Sequence, residues 1–248
     1  MKFSHVFISR PRPEAEELAA MLAPLGLHTV VQPAFEYAAL DARANDPAGY
    51  ARLEAAAMGD LVVFTSPRAV AHGLAQIPRA LLRRLRVAAI GPASGAALAA
   101  AGIPVAVPAG AGYTSEALLA TLAAETPGRA FVVAAPGGRE ALVDGLSSAG
   151  WQVGILLVYR AVPAPLDRAA LAGLEAASGV LSIWTSGNAL NDLSRRLPPA
   201  AWLKLCQGEW LVISERLRGL ARARGPGRIH LAEGPGNNAL LAAVRGLL

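Results

Sequence analysis

The chain has 248 residues, a length that fits one or two domains. Hydrophobic residues make up 54% and charged residues 17%, which excludes a disordered chain and allows well-formed cores. The net charge of +5 suits an acidic ligand and is too small to argue for nucleic acid, while a single cysteine, Cys206, excludes an intramolecular disulfide framework and any multi-cysteine metal site.

Short apolar runs alternate with Ala- and Leu-rich segments of helical period almost from end to end. The first run, 3–8, meets Arg10, Arg12 and Glu14 too soon to read as a secretion signal, so a soluble cytoplasmic protein is expected. A helix is predicted over 12–24 and a strand over 28–32. Strands follow at 61–64, 87–90, 105–107, 131–134 and 152–158, with helices at 67–76, 92–101, 114–123 and 138–149. Residues 87–115 carry no charge, yet Pro92, Pro104 and Pro108 cut them into pieces shorter than a membrane span, and no membrane partner is expected. The basic run Arg79, Arg83, Arg84 and Arg86 reads as a solvated connector. The last stretch predicts strands at 180–184, 210–213 and 228–231, each followed by a helix, at 187–195, 215–224 and 236–247. Strands alternating with helices imply parallel sheets covered on both faces, an α/β fold.

The chain also resembles itself. Phe64-Thr65-Ser66-Pro67-Arg68-Ala69-Val70 pairs with Trp184-Thr185-Ser186-Gly187-Asn188-Ala189-Leu190, and Ile90-Gly91-Pro92 with Ile213-Ser214-Glu215. The segment from Pro108 through Ser115 pairs with that from Glu233 through Asn237, and Ile8-Ser9-Arg10-Pro11 with Ala135-Pro136-Gly137-Gly138-Arg139. The Arg-containing unit comes last in one copy and first in the other. One domain inserted into a sister domain after its first strand and helix explains that order. The expected boundaries are 1–33 plus 163–248 for the outer domain and 38–157 for the inserted one. The crossings, 33–38 and 157–163, are extended and run in opposite directions, so they are expected to pair as a semi-stiff two-stranded hinge.

In open α/β sheets ligands bind beyond the carboxyl ends of the strands, where all the repeated motifs fall. Their hydroxyls, glycines and amides sit beside helix N-termini, whose free N–H groups attract carboxylates or phosphates. Helix capping alone accounts for any single Thr-Ser pair. The set, distributed over both domains, points to one interdomain cleft for a large polyanion. Arg10, Arg68, Arg139 and Arg216 lie within these turns. Gly110-Ala111-Gly112 lacks the third glycine of a dinucleotide loop, and neither a Walker loop nor a nucleophile elbow occurs. The histidines His5, His28, His72 and His230 are too dispersed for metal spacing and read as structural, as does Cys206.

The Ser9-Arg10-Pro11 start, the Thr65-Ser66-Pro67-Arg68 turn, Ile90-Gly91-Pro92, Val158-Tyr159-Arg160, the Thr185-Ser186 turn and Ile213-Ser214-Glu215-Arg216-Leu217 together resemble the uroporphyrinogen-III synthase family, in the family's order. Ser94 stands where the family often has Thr, and Asn237 where Ser is common. The resemblance implies two similar flavodoxin-like parallel-sheet domains, one inserted in the other, and a monomeric, cofactor-free cyclising lyase. Its substrate is hydroxymethylbilane, a linear tetrapyrrole with eight carboxylates, closed with inversion of the last pyrrole and loss of water. It also implies a transient contact with hydroxymethylbilane synthase. The implied substrate contacts are Ser9, Arg10, Thr65, Ser66, Arg68, Gly91, Ser94, Ser115, Gly137, Arg139, Thr185, Ser186, Asn188, Ser214, Arg216 and Asn237. Tyr159 is the one residue with a chemical role, assisting departure of the hydroxyl; the same residue also reads as hinge packing. A non-catalytic two-domain module that binds a polyacidic small molecule is the alternative.

Overall fold

The structure, a computed structural model, describes residues 2–108, 114–138 and 140–248. Contacts divide the chain into unit 1, Met1–Glu36 with Val162–Leu248, and unit 2, Tyr37–Ala161. Unit 1 opens with β1 (His5–Ile8), α1 (Glu14–Leu22) and β2 (His28–Val31), and β3 (Phe35–Ala39) leaves it. Unit 2 begins with α2 (Ala42–Asn45), α3 (Pro47–Glu54), β4 (Leu61–Phe64), α4 (Pro67–Leu74), α5 (Arg79–Leu82) and β5 (Arg86–Ala89). It continues through α6 (Pro92–Ala100), β6 (Val107–Pro108), α7 (Ser115–Leu122), β7 (Arg129–Ala134), α8 (Glu140–Ser148) and β8 (Gln152–Leu157). After β9 (Tyr159–Pro163) unit 1 resumes with α9 (Arg168–Glu175), β10 (Val180–Trp184), α10 (Gly187–Arg196) and α11 (Pro199–Gln207). It ends with β11 (Glu209–Val212), α12 (Glu215–Arg222), β12 (Arg228–Leu231) and α13 (Asn237–Arg245).

Each unit holds one five-stranded sheet, in the order β12-β11-β10-β1-β2 for unit 1 and β6-β5-β4-β7-β8 for unit 2. Every pairing is parallel; His5 lies opposite both Val180 and His28, and Leu61 opposite both Arg86 and Ala130. The central strands read as unbroken apolar runs because helices cover both faces. Alternate residues of β4 go to different cores: Val62 and Phe64 pack with Leu53, Val70 and Phe131, whereas Leu61 and Val63 pack with Leu118, Val132 and Leu142. Unit 1 repeats the division, with Phe7, Trp184 and Trp210 on one face and Val6, Ile8, Ile183 and Leu211 on the other.

Counted along the chain, the strands of unit 1 stand in the flavodoxin order 2-1-3-4-5. Unit 2 enters the same sheet at its middle strand and reads 3-2-1-4-5. The shared sheet with a shifted entry point is the permutation carried by the paired motifs. β3 and β9 form a separate two-stranded sheet. Leu40 N donates to Val158 O at one end and Ala164 N to Ala34 O at the other, so one strand rises in number as the other falls. The pair is antiparallel.

Helices α2, α3, α5, α9 and α11 were outside the predicted elements. Helix α3 buries only Gly49, Tyr50 and Leu53, too few apolar positions to set up a period, and its start is marked instead by Asp46, which accepts from Gly49 N. Arg79, Arg83 and Arg84 of the basic run are exposed between α4 and β5, as a solvated connector requires, but Arg86 is not part of it. Leu81 and Leu82 of α5 are buried, and Arg86 opens β5 and holds Glu125 with two bonds of 2.6 Å.

Candidate functional site

Strand order reverses between β1 and β10 in unit 1 and between β4 and β7 in unit 2, which marks the switch point of each sheet. Beyond the carboxyl ends of these strands lie Ser9-Arg10 and Thr185-Ser186 in unit 1, and Thr65-Ser66 and Pro136-Gly137 in unit 2. Two hydroxyls there bridge the gap sideways. Ser9 Oγ donates to Ile183 O at 2.9 Å, and Thr65 Oγ1 donates to Val133 O at 2.9 Å. Both are buried, so their protons tie neighbouring strands together instead of facing outward.

The helices that follow start in two ways. Ser66, Thr114, Ser186 and Ser214 cap α4, α7, α10 and α12, accepting from Ala69, Ala117, Ala189 and Leu217 N at 3.0 to 3.4 Å. A capping hydroxyl accepts one N–H and keeps its own proton to donate. Helices α6 and α13 begin instead at Gly91 and Gly236, which supply no side chain to the first turn. Their N-termini keep free N–H groups for an anion. Gly91 has φ of +89°, a conformation that favours glycine. In the first turn of α6, Ser94 is 1% exposed and its Oγ makes no hydrogen bond among the described residues.

Arg10 and Asn237 are brought together. Arg10 Nη1 donates to Asn237 Oδ1 at 2.8 Å and to Pro235 O at 2.7 Å, and Asn237 Nδ2 donates to Glu14 O at 3.2 Å. Asn188 and Arg216 are exposed in the first turns of α10 and α12, and Ser115 is buried behind the Thr114 cap. Thr185 is half-buried at the end of β10. Gly137, at φ +68°, borders a 480 Å³ cavity that Asp46, Glu140 and Asp144 also line. Those carboxylates oppose an anion on that side of the turn. Arg139 lies outside the described residues, as does the Gly110-Ala111-Gly112 segment.

Tyr159 opens β9 and is 8% exposed. Its hydroxyl lies 3.1 Å from Ser66 Oγ, the oxygen that also accepts from Ala69 N. Since that oxygen already caps α4, a Ser66 proton turned toward Tyr159 leaves the phenol proton free to be given away. The imidazole of His72 stacks on the Tyr159 ring at 5.3 Å and 17°, Tyr37 meets it edge-on at 5.7 Å, and Arg68 lies 4.2 Å above Tyr37. Sequence reasoning missed Tyr37, His72 and Gln76. The four-residue spacing of Arg68, His72 and Gln76, which puts three polar chains on one side of α4 and its C-terminal turn, was the available signal. His72 also lines a 410 Å³ cavity with Leu40, Asp41, Tyr50 and Gln76.

No helix among the described residues is long and apolar enough to cross a membrane, and no group of three or more His, Cys, Asp or Glu among them could hold a metal ion.

The class defined by this fold is that of proteins with two doubly wound α/β units, one threaded into the other and joined by a two-stranded ribbon. The family model described as Uroporphyrinogen-III synthase HemD matches residues 16–242. The uroporphyrinogen-III synthase of Salmonella typhimurium is 33% identical over 251 aligned residues, covering 97% of this chain and 99% of the relative, and that of Escherichia coli is 29% identical over the same coverage. The chain belongs to the uroporphyrinogen-III synthase family. Among solved structures, a uroporphyrinogen III synthase from Thermus thermophilus superposes with a TM-score of 0.59 at 20% identity, covering 98% of each chain. One from Helicobacter pylori gives 0.63 at 14% identity, covering 98% of this chain and 99% of its own. These two likenesses establish the fold.

Proposed function

We propose that the protein converts hydroxymethylbilane into uroporphyrinogen III: the macrocycle closes with inversion of the last pyrrole, and water is lost. The reaction needs an open-chain octa-acid to be held in the bent form that leads to inverted closure before direct closure occurs. That is catalysis by positioning. Donors suited to carboxylates recur at the strand ends of both units: the uncapped starts of α6 and α13, the hydroxyls of Ser186 and Ser214, and the buried Ser94 hydroxyl. Arg68 and Arg216 sit in first helical turns, where the helix dipole disfavours a cation. A bound carboxylate offsets that cost. In this reading the protein works as a monomer and takes its substrate from hydroxymethylbilane synthase by transient contact.

The observation that carries the chemical part is the contact between Tyr159 and Ser66. A phenol O–H can donate its proton as well as accept. Tyr159 donates that proton to the departing hydroxyl as the terminal C–O bond breaks, so that water leaves and the electron-rich pyrrole carries the positive charge. The test is incubation of the purified protein with freshly made hydroxymethylbilane, followed by separation of type I from type III product. Predominant type III product is expected. Binding of the tetrapyrrole with no acceleration over spontaneous type I closure would make the protein a binding module and overturn the proposal.

A further inference from the structure

Two buried or half-buried glutamines grip the hinge, one from each unit. In unit 1, Gln32 is 1% exposed; its Nε2 donates to Pro33 O at 2.9 Å and Pro165 O at 3.1 Å, and its Oε1 accepts from Asp167 N at 2.8 Å. In unit 2, Gln76 Oε1 accepts from Ala42 N at 2.8 Å, and its Nε2 reaches Leu40 O at 2.9 Å, His72 O at 3.2 Å and Val158 O at 3.4 Å. Each amide therefore bonds both passes of the chain through the hinge. An amide with two donors and an acceptor is suited to join two strands at a point where neither continues a ladder.

The two grips differ in what they hold. Gln32 secures the root of the ribbon in unit 1, where Arg196 also donates to Ala34 O and Ala164 O. Gln76 secures the residue next to Tyr159. It follows α4, the helix that carries the Ser66 cap and His72, and its amide reaches Val158 on the strand side. Tyr50 Oη donates to the Gln76 backbone carbonyl at 2.5 Å, which holds the main chain from which that amide extends. The helix and the strand that share the Ser66–Tyr159 contact are thus joined a second time by one side chain.

We infer that Gln76 is a positioning residue for Tyr159, setting the separation and angle between the Ser66 hydroxyl and the phenol. The inference rests on Tyr159 as the proton donor. A hydrogen-bonded donor displaced by a few tenths of an ångström loses rate without losing substrate affinity, since only the bond-breaking step uses it. The experiment is a double-mutant cycle: Gln76→Met and Gln76→Glu, each made in the parent and in the Tyr159→Phe background, with kcat, KM and folded fraction measured for all. Gln76→Met keeps the length and removes the amide; Gln76→Glu keeps an acceptor for Ala42 N should the first variant fold poorly. In the parent background kcat is expected to fall about tenfold with KM unchanged. In the Tyr159→Phe background either change is expected to cost about twofold or less, because the proton whose position it controlled is gone. A slow Tyr159→Phe enzyme in which Gln76 changes cost as much as in the parent overturns the positioning role alone, leaving the glutamine as a packing group. A Tyr159→Phe enzyme at the parent rate removes the proton donor and the inference together. Unchanged kcat in both Gln76 variants, with Tyr159→Phe slow, also overturns the inference.

Discussion

Units 1 and 2 repeat the same sheet arrangement and the same kind of strand-end turns, yet they part at the residue that opens each hinge strand. β3 leaves unit 1 on Phe35, packed on that unit's core, and β9 begins on Tyr159, packed on the core of unit 2. Each ring anchors the ribbon by burial. Only Tyr159 carries a hydroxyl, which lies against the serine capping α4. The duplicated architecture therefore needs two aromatic anchors, and the proposed chemistry needs one phenol. The helix starts diverge in the same way. A hydroxyl caps the helix after β12's counterpart β6 and glycine the helix after β5 in unit 2, whereas unit 1 has serine after β11 and glycine after β12. At these two strands each unit pairs one hydroxyl-capped start with one glycine start, in the opposite order.

The largest expected effect comes from erasing the difference between the two anchors. Tyr159→Phe makes unit 2 resemble unit 1, and turnover is expected to fall by up to about 10²-fold, the lower end for a positioned general acid. Type III product should still dominate, because in the proposed function the strand-end donors and not this hydroxyl hold the bent substrate. Steady-state rate and isomer ratio check both statements; a parent-like rate would reduce Tyr159 to an anchor equivalent to Phe35.

The two glycine caps offer the next contrast. Gly91→Ala forces a side chain into a positive-φ conformation and is expected to destabilise the protein by about 1–3 kcal/mol. Gly236, at φ −70°, accepts alanine without strain, so Gly236→Ala should cost less than about 1 kcal/mol. Denaturant midpoints at constant m-value measure the difference. Equal costs would mean that backbone strain does not distinguish the two turns.

The switch-point hydroxyls are expected to be equivalent. In Ser9→Ala and Thr65→Ala the acceptor carbonyl keeps a backbone partner, since Ser9 N also reaches Ile183 O and Thr65 N reaches Val133 O. Each change should cost about 1 kcal/mol, the net value of one hydrogen bond. A cost in one unit only, again read from denaturant midpoints, would break the equivalence.

Acid separates the units by a smaller amount. In unit 2 the Arg86 guanidinium, by hydrogen bonding, holds the Glu125 carboxyl below the usual carboxylate range. In unit 1 burial pushes Glu209 up, but hydrogen bonds from Lys2 and His230 more than offset it, and its net shift is also downward. A lowered carboxylate stabilises the fold above its unfolded value and loses that contribution as pH falls through the folded one. Both pairs are partly exposed, so each is worth about 0.2–1 kcal/mol. Unit 1 has a further step. Burial, with His28 and Lys204 nearby, lowers His5, so its contribution is present above the ordinary histidine value and is lost as pH falls below it. Replacing His5 with asparagine should flatten the stability profile in the mildly acidic range while leaving the carboxylate step. A profile identical to the parent's would remove His5 from the acid response.

Patterning along the chain was enough for the ten sheet strands and for the permuted repeat, because strands buried on both faces leave unbroken apolar runs and helix caps leave Ser, Thr or Gly at fixed places. The short helices were less legible: α9 buries Leu171 and Leu174 alone, and only the Asp167 cap marks its start. At the candidate site, composition and spacing pointed to strand-end hydroxyls and, through a family resemblance, to Tyr159. They could not separate hydroxyls by use. Whether Thr65 bridges two strands while Ser66 caps a helix and meets a phenol depends on adjacent residues pointing to opposite sides of a turn. The partners of Tyr159 come from two separate segments, Tyr37 on β3 and the α4 stretch that carries Ser66, His72 and, acting through Val158, Gln76. No local signal links residues so far apart in the chain; chain closure onto the sheet of unit 2 brings them within bonding distance, and only the tertiary structure could decide that.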